Sequence, residues 1–268
     1  MHFHEDLTFS EFKKEINKLF KDLVNKITKL KEFNKIRFEK ETVGRFKVIN
    51  DKSASYIGQF TYSPSIRKRN LKVNFFQLRE IYKESFLKLD VQFEDFCKII
   101  LLHELGHAID FSSNSIEEKP IHSFLNELAC TLKNINEKQN DVVYEANRTI
   151  LQINRYVKEN IYVKEKKANE IAEMLINKME KNNHSLKRAF KIFLVLHKQF
   201  LEFEDIPIIR TVIANRSISS PVQNMLEEYL GRRTNEKYRK LLNRIEQEKR
   251  YKKENVSLSR FLKKEKYK

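Results

Sequence analysis

The sequence predicts an α+β protein that is mostly helical, in which a small antiparallel sheet precedes a long buried helix and extra helices follow toward the C-terminus. Three observations lead there. Gly and Pro number only 4 each in 268 residues, too few for the turn-rich all-β and Rossmann architectures. Over most of the chain, apolar residues recur at three- and four-residue steps. The exception is a region from about Ile36 to Phe76 that is rich in β-branched and aromatic residues.

Taken in order, Phe12, Ile16, Leu19, Phe20, Leu23, Ile27, Leu30 and Phe33 form one apolar stripe, and Thr8 with Glu11 has the spacing of a capping box. A helix from Thr8 to about Phe33 is expected. IRFEKETVGRFKVI, SASYIGQFTYS and LKVNFF read as three strands, the last two separated by Ser63–Ser65. FEDFCKIILLHELGHAIDF shows no alternation and no Pro, so it reads as a largely buried helix. IHSFLNELACTLKNI predicts another helix. The periodic stretch from Val142 to about Met179 follows, with Val143, Ala146, Ile150, Ile153, Val157, Ile161, Ala168, Ile171, Ala172 and Leu175 as its apolar positions. Further helices are expected from about Ser185 to Phe203 and from Ser220, where Pro221 suits a first turn.

The net charge is +16, but it is unevenly spread. From Arg232 to Lys268 there are 15 basic residues against 5 Glu, so this tail carries +10 and leaves +6 for the first 231 residues. No stretch approaches the roughly 18–20 apolar residues of a membrane span. The start, MHFHEDLTFSEFKKE, lacks the parts of a signal peptide. A cytoplasmic protein without a membrane partner is therefore expected. Two cysteines, Cys97 and Cys130, sit among apolar residues as small core side chains would.

The chemistry is concentrated in HELGHAID. His103, Glu104 and His107 spell His-Glu-x-x-His, and on a helix residues four apart share a face. Two imidazoles so placed can bind one zinc ion, with Glu104 angled toward its water as general base. With only 7 His in the chain, chance rarely produces this spacing. Ile99 to Leu102 before the motif and Leu105, Ala108 and Ile109 around it predict that the histidines are buried, where a metal would satisfy them. Gly106 predicts close approach of another backbone.

A catalytic zinc site takes a third protein ligand and keeps one open position. Two residues compete for the third place. Glu127, in FLNELACT, lies on a helix that could fold straight back. Glu165, in EKKANEIAEMLI, accompanies the apolar stripe of Ile161, Ala168, Ala172 and Leu175, where a carboxylate needs compensation.

These segments resemble the zincin metallopeptidases, and among them the ImmA/IrrE-like peptidases. LKVNFF resembles that family's edge strand, LLHELGHAID its active helix, and Glu165 to Ile176 its Glu-x-x-Ala-Asn-x-Phe-Ala-x-x-Leu-Leu helix, with Ile171 in place of Phe. The resemblance implies a zincin-like core, zinc as cofactor, His103, His107 and Glu165 as ligands, and Glu104 as general base. It also implies a protein substrate such as a DNA-binding repressor or other regulator. If the helix from Ile121 to Ile135 is not an insertion, the ligand is Glu127. An extended peptide is expected to add alongside the strand around Val73–Phe75. The corresponding division is a metallopeptidase domain over 1–183, a helical extension over 184–231, and a basic tail over 232–268 that is helical and then disordered.

Other residues carry weaker signals. Asp110 is read as part of a helix end near Ser112 and Asn114 rather than as bonding a ligand histidine. Tyr144, Tyr156, Tyr162, His122, His184 and His197 are open candidates for stabilising an oxyanion. Two rival readings differ in class: a nucleic-acid-associated regulator that binds through the basic tail, and a peptidase toxin of a mobile element.

Overall fold

The computed structural model describes residues 3–33, 42–54, 56–63, 68–113, 121–132, 139–214 and 220–253. These form two compact units that interleave along the chain. The first comprises Met1–Ser115 and Glu165–Leu194, the second Ile116–Lys164 and Val195–Lys268. The expected division was consecutive, at 183 and 231. The observed one differs because a single helical run, entered in the second unit, returns the chain to the first at Glu165.

In the first unit, α1 (Phe9–Thr28) starts where the capping box predicts. The Thr8 hydroxyl receives the Glu11 N–H at 3.4 Å, and the Glu11 carboxylate receives the Thr8 N–H at 2.9 Å. Its buried stripe is Phe12, Ile16, Phe20, Leu23, Val24 and Ile27. Burying a side chain such as Phe12 or Phe20 contributes about 1.5–3 kcal/mol. The stripe packs ring on ring, with Phe20 stacked on Phe46 at 4.1 Å and Phe12 against Phe75 at 4.5 Å.

The sheet consists of β1 (Arg45–Ile49), β2 (Gly58–Ser63) and β3 (Lys68–Asn74) in the order β1-β3-β2. It is mixed rather than antiparallel: β2 pairs antiparallel with β3, whereas β1 runs parallel to it. The 50–57 connection carries the chain across the end of the sheet instead of reversing it in a hairpin. The buried Asn74 side chain holds that connection, donating to the Asp51 carbonyl at 2.8 Å and accepting from its N–H at 3.1 Å. Phe75 and Phe76, expected as strand, begin α2 (Phe75–Ile81).

α3 (Phe93–Ser113) is apolar around most of its circumference and buried accordingly, with Phe96, Cys97, Ile99, Leu101, Leu102, Leu105 and Ala108 fully inaccessible. α6 (Tyr162–Met179) contributes Ala168, Ala172, Leu175 and Ile176 to the same core. The first turns of α7 (His184–Leu201) add Leu186, Ala189 and Phe190.

The second unit holds α4 (Ile121–Leu132), α5 (Gln139–Tyr156), α8 (Asp205–Ile213) and α9 (Ser220–Lys253). Its core joins Phe124, Tyr156, Ile208, Ile209, Val222 and Leu226, with Phe124 stacked on Tyr156 at 4.3 Å. Val143 is 45% exposed; the buried stripe of α5 instead runs through Val142, Ala146, Thr149 and Ile153. A π-helical turn, Val157–Ile161, joins α5 to α6 and re-phases the helix by its extra residue. α8 carries Pro207 in its first turn and was not anticipated. Arg233 of α9 grips the buried Asp205 through two bonds, at 3.0 and 3.1 Å. The expected disordered end and the Cys130 side chain lie outside the described residues. Among the described residues, no helix is long and apolar enough to cross a membrane.

Candidate metal centre

Because α3 is enclosed on most sides, its polar groups have little access to water: His103 is 5% and Glu104 6% exposed. Groups so buried require polar partners. α6 supplies them. The Glu165 carboxylate places Oε2 at 3.0 Å from His103 Nε2 and Oε1 at 3.3 Å from His107 Nε2. The two Nε2 atoms are 3.2 Å apart. Ligand atoms on a tetrahedron of 2.0–2.1 Å bonds lie roughly 3.3–3.4 Å from one another. Two imidazoles and one carboxylate at these separations could hold a metal ion.

Asn169 stands one turn after Glu165. Its Oδ1 faces His103 Nδ1 at 2.9 Å, an acceptor that favours the Nδ1–H tautomer, in which Nε2 is available to a metal. Asn169 belongs to the Ala-Asn pair quoted above, but its role was not foreseen. The i,i+4 step from Glu165 was the signal that could have found it. The Phe193 ring meets that of His103 edge-on at 5.6 Å, fixing the imidazole from another side.

Two glycines set the clearances. A Cβ on Gly106 would lie 2.4 Å from the Ala168 carbonyl oxygen, so α3 and α6 approach closely only because residue 106 lacks a side chain. This is the close approach expected of Gly106, and it brings Glu165 to the histidines. A Cβ on Gly58 would lie 2.7 Å from both Cγ and Oε1 of Glu104. β2 therefore passes directly over the general-base candidate, and the Phe60 main-chain N–H donates to its carboxylate. Burial raises the Glu104 pKa above the ordinary carboxylate value; His107, His103 and the Phe60 N–H oppose the rise, and Glu165 adds to it.

Of the two glutamates considered as third ligand, Glu165 faces the histidines, whereas Glu127 is exposed on α4 in the second unit. α3 ends at Ser113, within the Ser112–Asn114 region where the reading of Asp110 put the end of the helix. Of the oxyanion candidates, Tyr144, Tyr156, Tyr162 and His197 belong to the second unit, His184 is exposed at the start of α7, and the His122 side chain lies outside the described residues.

The expected peptide-binding strand requires correction. β3, with Val73, is the central strand, and both its edges are occupied by β1 and β2. The open edge beside α3 belongs to β2. Ile57 O accepts from Asn74 N at 2.8 Å, so alternation turns the main-chain groups of Gly58, Phe60 and Tyr62 away from β3. The Phe60 and Tyr62 rings rest on Phe111 of α3 at 5.8 and 4.7 Å. The misassignment arose because LKVNFF carries the strongest strand signal, and strand strength is greatest in the middle of a sheet.

The chain matches no protein-family model, no curated protein and no solved structure.

Proposed function

We propose that the protein is a zinc-dependent endopeptidase of zincin type, akin to the ImmA/IrrE-like peptidases, that hydrolyses a peptide bond in a protein partner such as a transcriptional repressor or other regulator. The observation that carries this reading is the convergence of His103, His107 and Glu165 within 3.3 Å of one another, with Glu104 buried at the next position of the same helix. His103, His107 and Glu165 would hold the metal. Zinc, when bound, supplies Lewis acidity toward a peptide carbonyl and lowers the pKa of water.

The chain's own residues do the rest. Glu104, held by the Phe60 N–H, accepts a proton from the attacking water and returns it to the leaving amine. Asn169 keeps the His103 tautomer constant throughout. An extended substrate docks along the open edge of β2, which places its backbone beside Glu104.

Elemental analysis tests the ligands: about one zinc per chain in wild type and in Glu127→Ala, and none in His103→Ala or Glu165→Ala. Glu104→Gln should keep the metal. Comparing protein N-termini by mass spectrometry in cells that express wild type or Glu104→Gln then tests the activity, with new termini expected only for wild type. Zinc-free wild type, or identical termini in both, would overturn the proposal.

A further inference from the structure

The three strands contain five basic residues and no Asp or Glu. Register sorts them by face. Phe46, Val48, Leu71, Val73 and Phe60 share the inner face with Arg69, which folds over Phe111 and donates to Ser112. Arg45, Lys47, Lys68 and Lys72 share the outer face with Asn70, Gln59 and Thr61. Arg45, Lys47 and Lys68 are exposed and Lys72 is half-buried. Among the described residues, no carboxylate pairs with any of the four.

Lys47 and Lys72 are direct partners in the ladder, about 4.8 Å apart between neighbouring strands. Like charges directly opposite one another destabilise a sheet. The fold therefore holds an unneutralised row of cations at a cost, an arrangement relieved by an anionic partner.

We propose that the outer face of the β1-β3-β2 sheet docks the sugar–phosphate backbone of a nucleic-acid duplex, with Arg45, Lys47, Lys68 and Lys72 contacting phosphates. Neutral hydrogen-bonding side chains between the cations match the usual company of phosphate contacts. An acidic protein partner fits less well, since a protein interface needs an apolar centre. The one apolar strand residue on this face, Ile49, lies at the end where Asn74 ties down the connection. A single strand also fits less well, because no aromatic residue of the strands points outward to stack on bases. This surface lies on the opposite face of the sheet from α3, so it stands independently of the metal centre.

The test uses the full chain and a fluorescein-labelled random-sequence DNA duplex, with binding read by anisotropy across a salt series. Wild type should bind with a log–log salt slope that becomes shallower by about 3.6 when Arg45, Lys47, Lys68 and Lys72 are all changed to Ala, at about 0.9 per phosphate. Affinity at 0.1 M salt should fall at least about tenfold. Changing Lys13, Lys14, Lys18 and Lys21, exposed on α1, removes the same charge and should leave the slope near that of wild type. The Lys47→Ala/Lys72→Ala pair should melt no lower than wild type, because it removes the like-charge contact. No duplex binding by wild type at 0.05 M salt would overturn the proposal. So would an unchanged slope in the fourfold variant, or competition by poly-glutamate as effective as by duplex.

Discussion

Replacing Gly106 by Ala probes the contact on which the candidate centre depends. The added Cβ would stand 2.4 Å from Ala168 O, 3.0 Å from its Cα and 3.1 Å from its carbonyl carbon. A carbon–oxygen contact settles near 3.3 Å, so α3 and α6 must part by about 0.9 Å. The obstacle is backbone, which cannot swing aside as a side-chain end would. Overpacking of this kind costs about 1–3 kcal/mol, while Ala in place of Gly in a helix returns about 0.8–1 kcal/mol. The expected net loss is about 0–2 kcal/mol. The same displacement separates the Glu165 carboxylate from the two imidazoles and Asn169 from His103. A loosened supporting bond of this type weakens metal affinity about 10–100-fold. Urea unfolding of the metal-free protein measures the first effect, and zinc competition against a chromophoric chelator the second. Wild-type stability together with wild-type zinc affinity would refute the reasoning, because it would mean that the two helices do not meet at residue 106.

Three other outcomes are expected. Gly58→Ala meets a side chain rather than backbone, at 2.7 Å from Glu104, so it should shift the base and lower peptide hydrolysis about tenfold or more; zinc content by elemental analysis should be unchanged. Arg233→Ala strands the buried Asp205 and should destabilise the protein by about 2–4 kcal/mol in urea unfolding, below the full cost of a buried pair because Arg233 is partly exposed. Arg233→Lys should not restore the loss, since Arg233 bonds Asp205 through two nitrogens. Burial pushes the Cys97 thiol well above its ordinary range. With the folded pKa raised, its contribution is complete below the unfolded value of about 8.5 and declines as pH climbs above that. Peptide mapping after iodoacetamide treatment at pH 8 should find Cys97 unmodified in the native protein and modified in urea.

The sequence by itself determined what depends on local spacing. Residues three and four apart share a helix face in any surroundings, so α1 with its cap, the burial of α3, and the pairing of His103 with His107 were all legible. Gly106 was readable as a point of close approach, though not what would approach it. Tertiary structure decided what depends on where distant segments meet. Glu165 reaches the histidines from 58 residues beyond His107 because α6 closes on Gly106; Glu127, on an equally plausible local pattern, does not occupy that place. Gly58, Phe60 and Asn169 acquire roles only through contact with α3. The order of the strands follows the same principle: alternation within a strand assigns its faces, but which edge stays open depends on the neighbours it meets. That put β3 in the centre and left β2 free beside Glu104.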